Sequence, residues 1–269
     1  MTIVKGFMQM AGSIQGVSFY TLKGSDKVIM RTKGGATKKQ IANSPDFENT
    51  RKQNMEFGGC SKFGAKARKA FGGLNRLADY NLTPVLTGMG KGMMKLDTVS
   101  EVGKRNLKLS ENKDVLEGFN FNRNYPFNTV VRISPQWVLD RDNLSVAVTI
   151  PRINTDIDLL NIQKLPFFRF IVAIGTISDM AYNETKSEYK PLVPDLHGAS
   201  NSTSGEWQKT QSTVPEQTLV VQLNDSLVEE LTDNVSVLLS MAIEFGDIGM
   251  TDEPVEVKYA GCGKVLAVR

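Results

Sequence analysis

The architecture is set by residues 16–33, which read Gly16-Val17-Ser18-Phe19-Tyr20-Thr21-Leu22, then Lys23-Gly24-Ser25-Asp26-Lys27, then Val28-Ile29-Met30-Arg31-Thr32-Lys33. β-Branched and aromatic residues stand on either side of a polar turn that contains glycine, which is typical of a β-hairpin with strands at 17–22 and 28–33. Both faces of the hairpin carry apolar side chains. Because an isolated two-stranded hairpin is only marginally stable in water, this one needs a sheet or a partner to pack against.

A helical region follows the hairpin. Ser44-Pro45-Asp46-Phe47-Glu48 combines an N-cap residue, a proline suited to the first helical position and carboxylates at the positive end of the helix dipole. Because glycine weakens helices, Gly58-Gly59 and Gly72-Gly73 predict two helices, at 45–57 and 61–80, rather than one. A basic face on the second helix is expected to comprise Lys62, Lys66, Lys69 and Arg76.

Residues 81–117 carry weaker signals. A helix is expected within 97–109. Gly88-Met89-Gly90-Lys91-Gly92 is rich enough in glycine to surround a phosphate, but it lacks the GxxxxGK[ST] spacing and the preceding strand of a phosphate-binding loop. We therefore interpret it as a flexible linker.

From residue 118 the sequence alternates apolar strands with turns. Strands are predicted at 128–134, 144–151, 167–177, 217–223, 235–245 and 254–268. Six strands at this spacing favour an antiparallel β-sandwich with a long polar loop at 182–216. The predicted fold is therefore α+β, with an N-terminal β-hairpin and basic helices in a first region, 1–117, and the sandwich in a second, 118–269.

Few residues suggest catalysis. The single histidine, His197, lies in the polar loop and is expected to be solvated, so no nucleophile has an evident base. Asp156 and Asp158 would share one face of a strand, where they could bind a cation or flank a glycosidic bond, but a solvated strand face is the favoured interpretation. Glu229 and Glu230 form a second carboxylate pair. No catalytic residue, metal site or cofactor is predicted.

The two cysteines and two tryptophans are assigned mainly to structure. Cys60 and Cys262 are far apart and lack C-x-x-C spacing, which favours reduced structural thiols over a disulfide or zinc site. Trp137 is expected in the core, whereas Trp207, in the polar loop, is expected to be exposed.

Charge is distributed unevenly along the 269 residues. Residues 1–120 contain 20 basic and 10 acidic side chains, and residues 121–269 contain 12 basic and 19 acidic ones. A basic half joined to an acidic half is compatible with nucleic-acid binding or with docking between subunits. No stretch has the roughly 20 apolar residues needed to span a bilayer, and no secretory signal is evident at the start, so synthesis in the cytoplasm is expected.

Three motifs carry a resemblance to a known family. They are Gly16-Val17-Ser18-Phe19 (G-x-V-S-[FW]), Lys33-Gly34-Gly35, and Asn43-Ser44-Pro45-Asp46-Phe47-Glu48-Asn49-Thr50-Arg51 (Asn/Asp-x-Pro-x-Phe-x-x-x-Arg). Over residues 12–77, about a quarter of its length, the chain resembles uncharacterised proteins of Bacteroidota and their mobile elements, which also end in a β-rich domain. The resemblance brings no catalytic residues and implies a phage-like or element-encoded structural role.

Three functions remain open. The first is a self-assembling, non-enzymatic subunit of a filament, tube or virion-like particle, in which the hairpin adds to a neighbouring copy. Its expected interface comprises Val17, Phe19, Tyr20, Leu22, Val28 and Met30. The second is nucleic-acid binding or packaging through the basic helix face, and the third is a carbohydrate- or surface-binding sandwich that uses Trp207. No membrane partner is expected.

Overall fold

The structure, a computed structural model, describes residues 2–4, 12–14, 16–21, 27–32 and 34–269. It divides into two compact units, Met1–Arg51 and Lys52–Arg269. This division differs from the boundary predicted after residue 117. Among the described residues, no helix has the length and apolar character needed to cross a membrane.

The N-terminal unit contains a four-stranded antiparallel sheet, in the order β1-β4-β3-β2. Its strands are β1 (Thr2–Val4), β2 (Gly12–Ile14), β3 (Val17–Thr21) and β4 (Val28–Thr32). The predicted hairpin is confirmed as β3 and β4, while Leu22 and Lys33 lie outside the described residues. The two flanking strands were not predicted, because three residues are too few for a recognisable alternation.

Two short helical segments lead into the long helix. Helix α1 (Lys38–Asn43) begins with a capping box in which the Thr37 hydroxyl accepts from the Gln40 N–H at 3.2 Å. One 3-10 turn, Pro45–Phe47, follows, and the Ser44 hydroxyl accepts from the Asp46 N–H at 3.3 Å. The predicted capping role of Ser44 is therefore confirmed.

Helix α2 (Glu48–Ala70) is continuous, so the predicted interruption at Gly58-Gly59 is wrong. Gly59 faces a neighbouring side chain at close range, and a Cβ there would lie 2.7 Å from Tyr189 Cγ. Packing therefore requires a glycine at this position and outweighs its low helix propensity. The second glycine pair does end the helix, because Gly72 and Gly73 have φ values of 60° and 84°. The predicted helix 61–80 thus stops at residue 70, and a 3-10 turn follows at Leu74–Leu77.

Helix α3 (Leu82–Leu96) includes Gly88 to Gly92, so the predicted flexible linker is wrong. A Cβ on Gly90 would lie 3.2 Å from a ring atom of Phe63 in α2, which shows how closely the two helices approach. The helix predicted within 97–109 is also wrong. Asp97 instead holds this segment as a loop, because its carboxylate accepts from the N–H groups of Val99, Ser100 and Asn106.

The C-terminal region is built from antiparallel strands, which confirms the α+β fold. The strands of its two main sheets are β5 (Gln136–Asp140), β6 (Ser145–Ile150), β8 (Phe167–Ser178), β11 (Ser200–Ser204), β12 (Gln208–Lys209), β14 (Gln217–Gln222), β15 (Val235–Ile248) and β16 (Pro254–Val268). Five of the six predicted strands are present. The prediction at 128–134 is wrong, because this stretch contains the short helix α4 (Phe127–Val130). Strand β5, which pairs with β6, was missed.

The second unit has three layers. A five-stranded sheet runs β11-β8-β15-β16 with β12 beside β8, and a three-stranded sheet runs β14-β6-β5. Alternate residues of the central strands enter different cores: Val172 packs towards the three-stranded sheet, and Ala173 packs with residues of α2 and α3. Strands β8 and β15 are therefore buried on both faces, which explains why their sequences are continuously apolar.

The segment 182–216 was predicted to be one long polar loop, and this prediction is wrong. It includes most of a hairpin of β9 (Met180–Asn183) and β10 (Glu188–Pro191), as well as β11 and β12. It also contains β13 (Thr213–Val214), which pairs with β7 (Ile153–Asn154). Polar side chains on short strands had concealed the pairing, because they leave no apolar alternation.

Candidate assembly surfaces

The predicted interface residues lie in the N-terminal sheet. Phe19 stands opposite Met30, and Tyr20 stands opposite Ile29. The first pair is on the face shared by Val17 and Val28, and the second is on the other face. Among the predicted residues Val28 is buried, and Val17, Phe19, Tyr20 and Met30 are half-buried. Leu22 lies outside the described residues.

The edges of this sheet decide which strand is available for pairing. Strand β3 is already paired on both sides, by β2 and β4, and β4 is paired by β1 and β3. Of the four described strands, β1 and β2 are therefore the ones at which a neighbour could extend the sheet. All three residues of β2 are exposed, and Ile14 exposes 63% of its surface.

The predicted basic face is divided by the fold. Lys62 donates to Glu188 at 2.7 Å and to the Tyr189 carbonyl at 3.1 Å. Arg76 lies outside α2, in the 3-10 turn, and binds the buried Glu244. The sequence could not show these pairings, because the acidic partners are 126 and 168 residues away from their cations.

A smaller set of cations, which we call the basic cluster, remains near the end of α2: Lys66, Arg68 and Lys69. None of the three forms an ion pair with another residue in the part of the chain that the structure describes. Arg68 donates to the Thr83 hydroxyl at 2.6 Å. Arg68 and Lys69 also lie where cations complement the negative end of the helix dipole.

A shallow cavity of about 440 Å³ adjoins the basic cluster. Its lining comprises Arg68, Lys69, Gly73, Asn75, Gly198 and Ser200. The two glycines have φ values of 84° and 93°, a conformation that other residues rarely adopt. The lining of the cavity therefore combines two glycines with two cations.

Strands β15 and β16, the longest of the five-stranded sheet, extend beyond the end of β8. Strand β8 first pairs with β15 at Phe167 opposite Gly246. Beyond that point β15 and β16 pair only with each other among the described strands, with Ile248 opposite Pro254. We call residues 247–259, which form this two-stranded extension, the arm.

The arm exposes apolar and acidic side chains together. Ile248, Val255 and Tyr259 expose 57%, 46% and 62% of their surfaces, and Met250 is fully exposed. Its exposed carboxylates are Asp247, Asp252, Glu253 and Glu256. Of these, Glu256 alone has an ion-pair partner in the described part of the chain, Arg76 at 3.4 Å.

The base of the arm is fixed by a buried carboxylate. Glu244 of β15 accepts from Arg169 Nε at 2.5 Å and from Arg76. Arg169 in turn lies over the ring of Trp207, 4.4 Å from its centre. Trp207 is half-buried, and a Cβ on Gly246 would be 2.7 Å from its ring. The expectation that Trp207 is exposed is therefore wrong, and its ring packs at the start of the arm.

Backbone strain also occurs in the arm. Tyr259 has a φ of 62°, which is unusual for an aromatic residue. It lies beside a register shift in the pairing of β15 with β16, between Glu244 and Gly246. Together with Tyr125, it borders a cleft of about 200 Å³ whose floor includes Val130 and Phe245. The shift turns the Tyr259 side chain out of the sheet.

A second buried carboxylate fixes α2 against α3. Glu56 is fully buried and accepts from Arg105 Nε and the Gly103 N–H at 2.7 and 2.8 Å, and Lys91 also donates to it. Burial alone would raise the pKa of this carboxyl, but the hydrogen bonds from Arg105, Lys91 and Gly103 outweigh burial and lower the pKa to about 2. Glu56 is thus a charged anchor of the helices.

His197 was predicted to be solvated, and this prediction is wrong, because the residue is 97% buried. Among the described residues, neither ring nitrogen has a hydrogen-bond partner. Burial, followed by repulsion from Lys66, lowers the pKa of the imidazole to about 4, so His197 is neutral at pH 7. His197 was predicted to be solvated because its neighbours in the sequence are polar, but the turn before β11 places it in the interior.

The two thiols are buried and unpaired with each other. Burial raises the pKa of Cys60 to about 11 and that of Cys262 to about 12. Cys60 lies 3.4 Å from the sulfur of Met94 in α3. Both cysteines thus occupy packing positions in which the thiol form is favoured.

The two carboxylate pairs noted in the sequence lie in short helical turns. Asp156 and Asp158 do not share a strand face; they lie in the one-turn helix α5 (Thr155–Asp158), where Asp158 accepts from the Asn154 N–H at 2.8 Å. Glu229 and Glu230 are exposed in a 3-10 turn, Asp225–Glu230. Within the described ranges, no group of acidic, histidine or cysteine side chains has a metal-binding arrangement.

Trp137 is half-buried and packs at the border of the core between the two sheets. Arg269 lies over its ring, 5.4 Å from the centre. The expected core position of Trp137 is therefore only partly reached, because β5 is an outer strand of its sheet.

Sequence reasoning found two cations of the basic cluster and the strands of the arm, but not the arm itself. The lengths of the predicted strands contained a signal for the arm. The strand predicted at 254–268 is longer than the one predicted at 167–177, so part of it must extend beyond the shorter strand. In comparisons with family models, curated proteins and solved structures, nothing matches this chain.

Proposed function

We propose that the protein is a non-enzymatic structural subunit that assembles with copies of itself into a filament, tube or virion-like particle. The observation that carries this proposal is the arm, in which Ile248, Met250 and Val255 expose apolar surface outside both cores. Exposed apolar groups of this kind mark interaction sites when they are grouped on one projecting element. Copies of the chain would cover them on association.

The N-terminal sheet supplies a second surface in the same proposal. Among the described strands, β2 has one edge without a partner, and Phe19 of β3 and Met30 of β4 form a half-buried apolar pair beside it. Addition of a strand from a neighbouring copy would supply backbone hydrogen bonds at this edge. The sequence predicted a contact through the hairpin of β3 and β4, and we propose that the contact is made by β2, the outer strand next to β3.

The mass of the purified protein in solution tests the proposal. Light scattering coupled to size exclusion, over a concentration series at low salt, is expected to show species larger than one chain. Negative-stain images of the same samples are expected to show a repeating particle or fibre. A strictly monomeric protein at high concentration and low salt would contradict the proposal.

Nucleic-acid binding is the second candidate, and it is favoured by the basic cluster, which forms no ion pair among the described residues. Lys62 and Arg76 have carboxylate partners, so Lys66, Arg68 and Lys69 would carry the contact. Binding to DNA or RNA should then weaken steeply with salt. A fluorescence titration with labelled single- and double-stranded oligonucleotides tests this function, and lack of binding at low salt would exclude it.

A further inference from the structure

We infer that the arm of one copy docks on the basic cluster of the next copy, with Met250 entering the shallow cavity at Gly73 and Gly198. This inference rests on the proposed function and specifies the partner and the contact. Its first support is charge. Asp247, Asp252 and Glu253 of the arm have no ion-pair partner in the described part of the chain, and neither do the three cations of the basic cluster.

The shapes of the two surfaces also correspond. The cavity is open at Gly73, where a Cβ would meet nothing within 4 Å, and it is narrower at Gly198, where a Cβ would lie 3.0 Å from Lys66 Cδ. Met250 is the most exposed apolar residue of the arm, and a methionine side chain adapts to irregular spaces. In such a contact an apolar centre is surrounded by paired charges, which exclude water from it.

Met250, at the tip of the arm, is too far from the cavity of its own chain to enter it, although Glu256 at the base of the arm pairs with Arg76. Gly72, at the end of α2, lies against Ala173, and Ala173 stands opposite Ser240 in β15. Ile248 is eight residues farther along the same strand, which corresponds to roughly 26 Å at the rise of a β-strand. The contact must therefore join different copies.

The geometry of this contact has a consequence for the assembly. The arm and the basic cluster are different surfaces at separate places, so the contact is head-to-tail. A head-to-tail contact generates a ring when the rotation between copies closes and a filament when it does not.

Charge reversal provides the test. One variant carries Arg68→Glu and Lys69→Glu, and a second carries Asp252→Lys and Glu253→Lys. Each variant alone brings like charges together at the contact. The protein concentration at which species larger than one chain appear in light scattering should therefore be at least tenfold higher than for the wild type. An equimolar mixture of the two variants restores opposite charges at every contact and should assemble as the wild type does.

Matched controls reverse exposed charges elsewhere, with Lys209→Glu and Glu216→Lys. These controls should assemble like the wild type, and circular dichroism on all variants shows whether each is folded. Met250→Asp, which places a charge in the cavity, should weaken assembly without a change in fold.

The outcomes separate the inference from the function on which it rests. A wild-type protein that stays monomeric contradicts the proposed function. A wild-type protein that assembles, with variants that assemble equally well or a mixture that does not recover, overturns the arm contact alone. Loss of oligonucleotide binding in the Arg68→Glu/Lys69→Glu variant, with assembly unchanged, would also overturn it and assign the basic cluster to nucleic acid.

Discussion

Gly59 of α2 lies so close to Tyr189 of β10 that a Cβ would be 2.7 Å from Tyr189 Cγ. Alanine raises helix propensity by about 1 kcal/mol over glycine, but here it forces a side chain into an occupied space, which typically costs about 1–3 kcal/mol. We expect Gly59→Ala to lower the free energy of unfolding, as measured by urea denaturation.

The adjacent glycine is the control for this prediction. A Cβ on Gly58 would meet nothing within 4 Å, and the residue is exposed. Gly58→Ala should therefore raise the free energy of unfolding by up to about 1 kcal/mol. Equal effects of the two substitutions would contradict the close contact at Gly59.

Glu56→Gln should be strongly destabilising at pH 7. The substitution leaves Arg105 and Lys91 without a carboxylate in a buried site, and breaking such a site costs about 3–5 kcal/mol. Because the pKa of Glu56 is lowered from 4.5 to about 2, its stabilising effect is complete above pH 4.5 and declines as the pH falls towards 2.

Urea denaturation from pH 7 to pH 3 measures this dependence. The difference in unfolding free energy between wild type and Glu56→Gln should narrow below pH 4.5. Glu229→Gln, at an exposed position, should change stability by less than about 0.5 kcal/mol. A Glu56→Gln variant with a difference that does not vary with pH would refute the charged state of Glu56.

His197 should destabilise the protein in mild acid. Its pKa is lowered from 6.5 to about 4, so the unfolded chain binds a proton between these values that the folded chain does not. Stability is therefore unaffected above pH 6.5 and falls as the pH decreases from 6.5 towards 4.

Since the chain contains one histidine, an NMR titration follows a single imidazole and should give a midpoint near pH 4. His197→Leu should remove this part of the pH dependence, and it also removes two buried nitrogens that have no hydrogen-bond partner among the described residues. A midpoint near 6.5 in the folded protein would show that the ring is solvated.

Tyr259→Gly should leave stability unchanged or raise it by about 1 kcal/mol, because a φ of 62° costs a residue with a Cβ roughly 1–2 kcal/mol. Lys258→Gly is the matched control in the same strand. It should destabilise by about 0.5–1 kcal/mol, the usual cost of glycine in a strand. A larger loss for Tyr259→Gly than for Lys258→Gly, measured by thermal and urea unfolding, would indicate that packing of the ring outweighs the strain.

The sequence predicted the elements whose environment is uniform along their length. Strand β16 was predicted at its observed bounds, and the continuous apolar runs of β8 and β15 were recognised because both faces of these strands are buried. The capping residue Ser44 was also recognised, since its hydrogen bond is local.

The failures share a physical cause, which is contact between distant parts of the chain. The glycines of α2 and α3 resemble helix breakers until Tyr189 and Phe63 are placed beside them. His197 resembles a loop residue until its turn is folded into the interior. Lys66 and Lys69 of the basic cluster were predicted from the sequence. The arm was not predicted, because its extent depends on where β8 begins relative to β15.

The shared core of α2, α3 and the five-stranded sheet also constrains how the chain is made. Phe63 and Phe71 are buried with Ile171, Leu238 and Val265, which lie 100 to 200 residues later in the sequence. At roughly 5–20 residues per second, the ribosome releases the later strands about 5–40 s after the helices. Throughout that interval the apolar surface of the helices has no sheet to cover it, so the nascent chain is a candidate client for chaperones that bind exposed apolar helices.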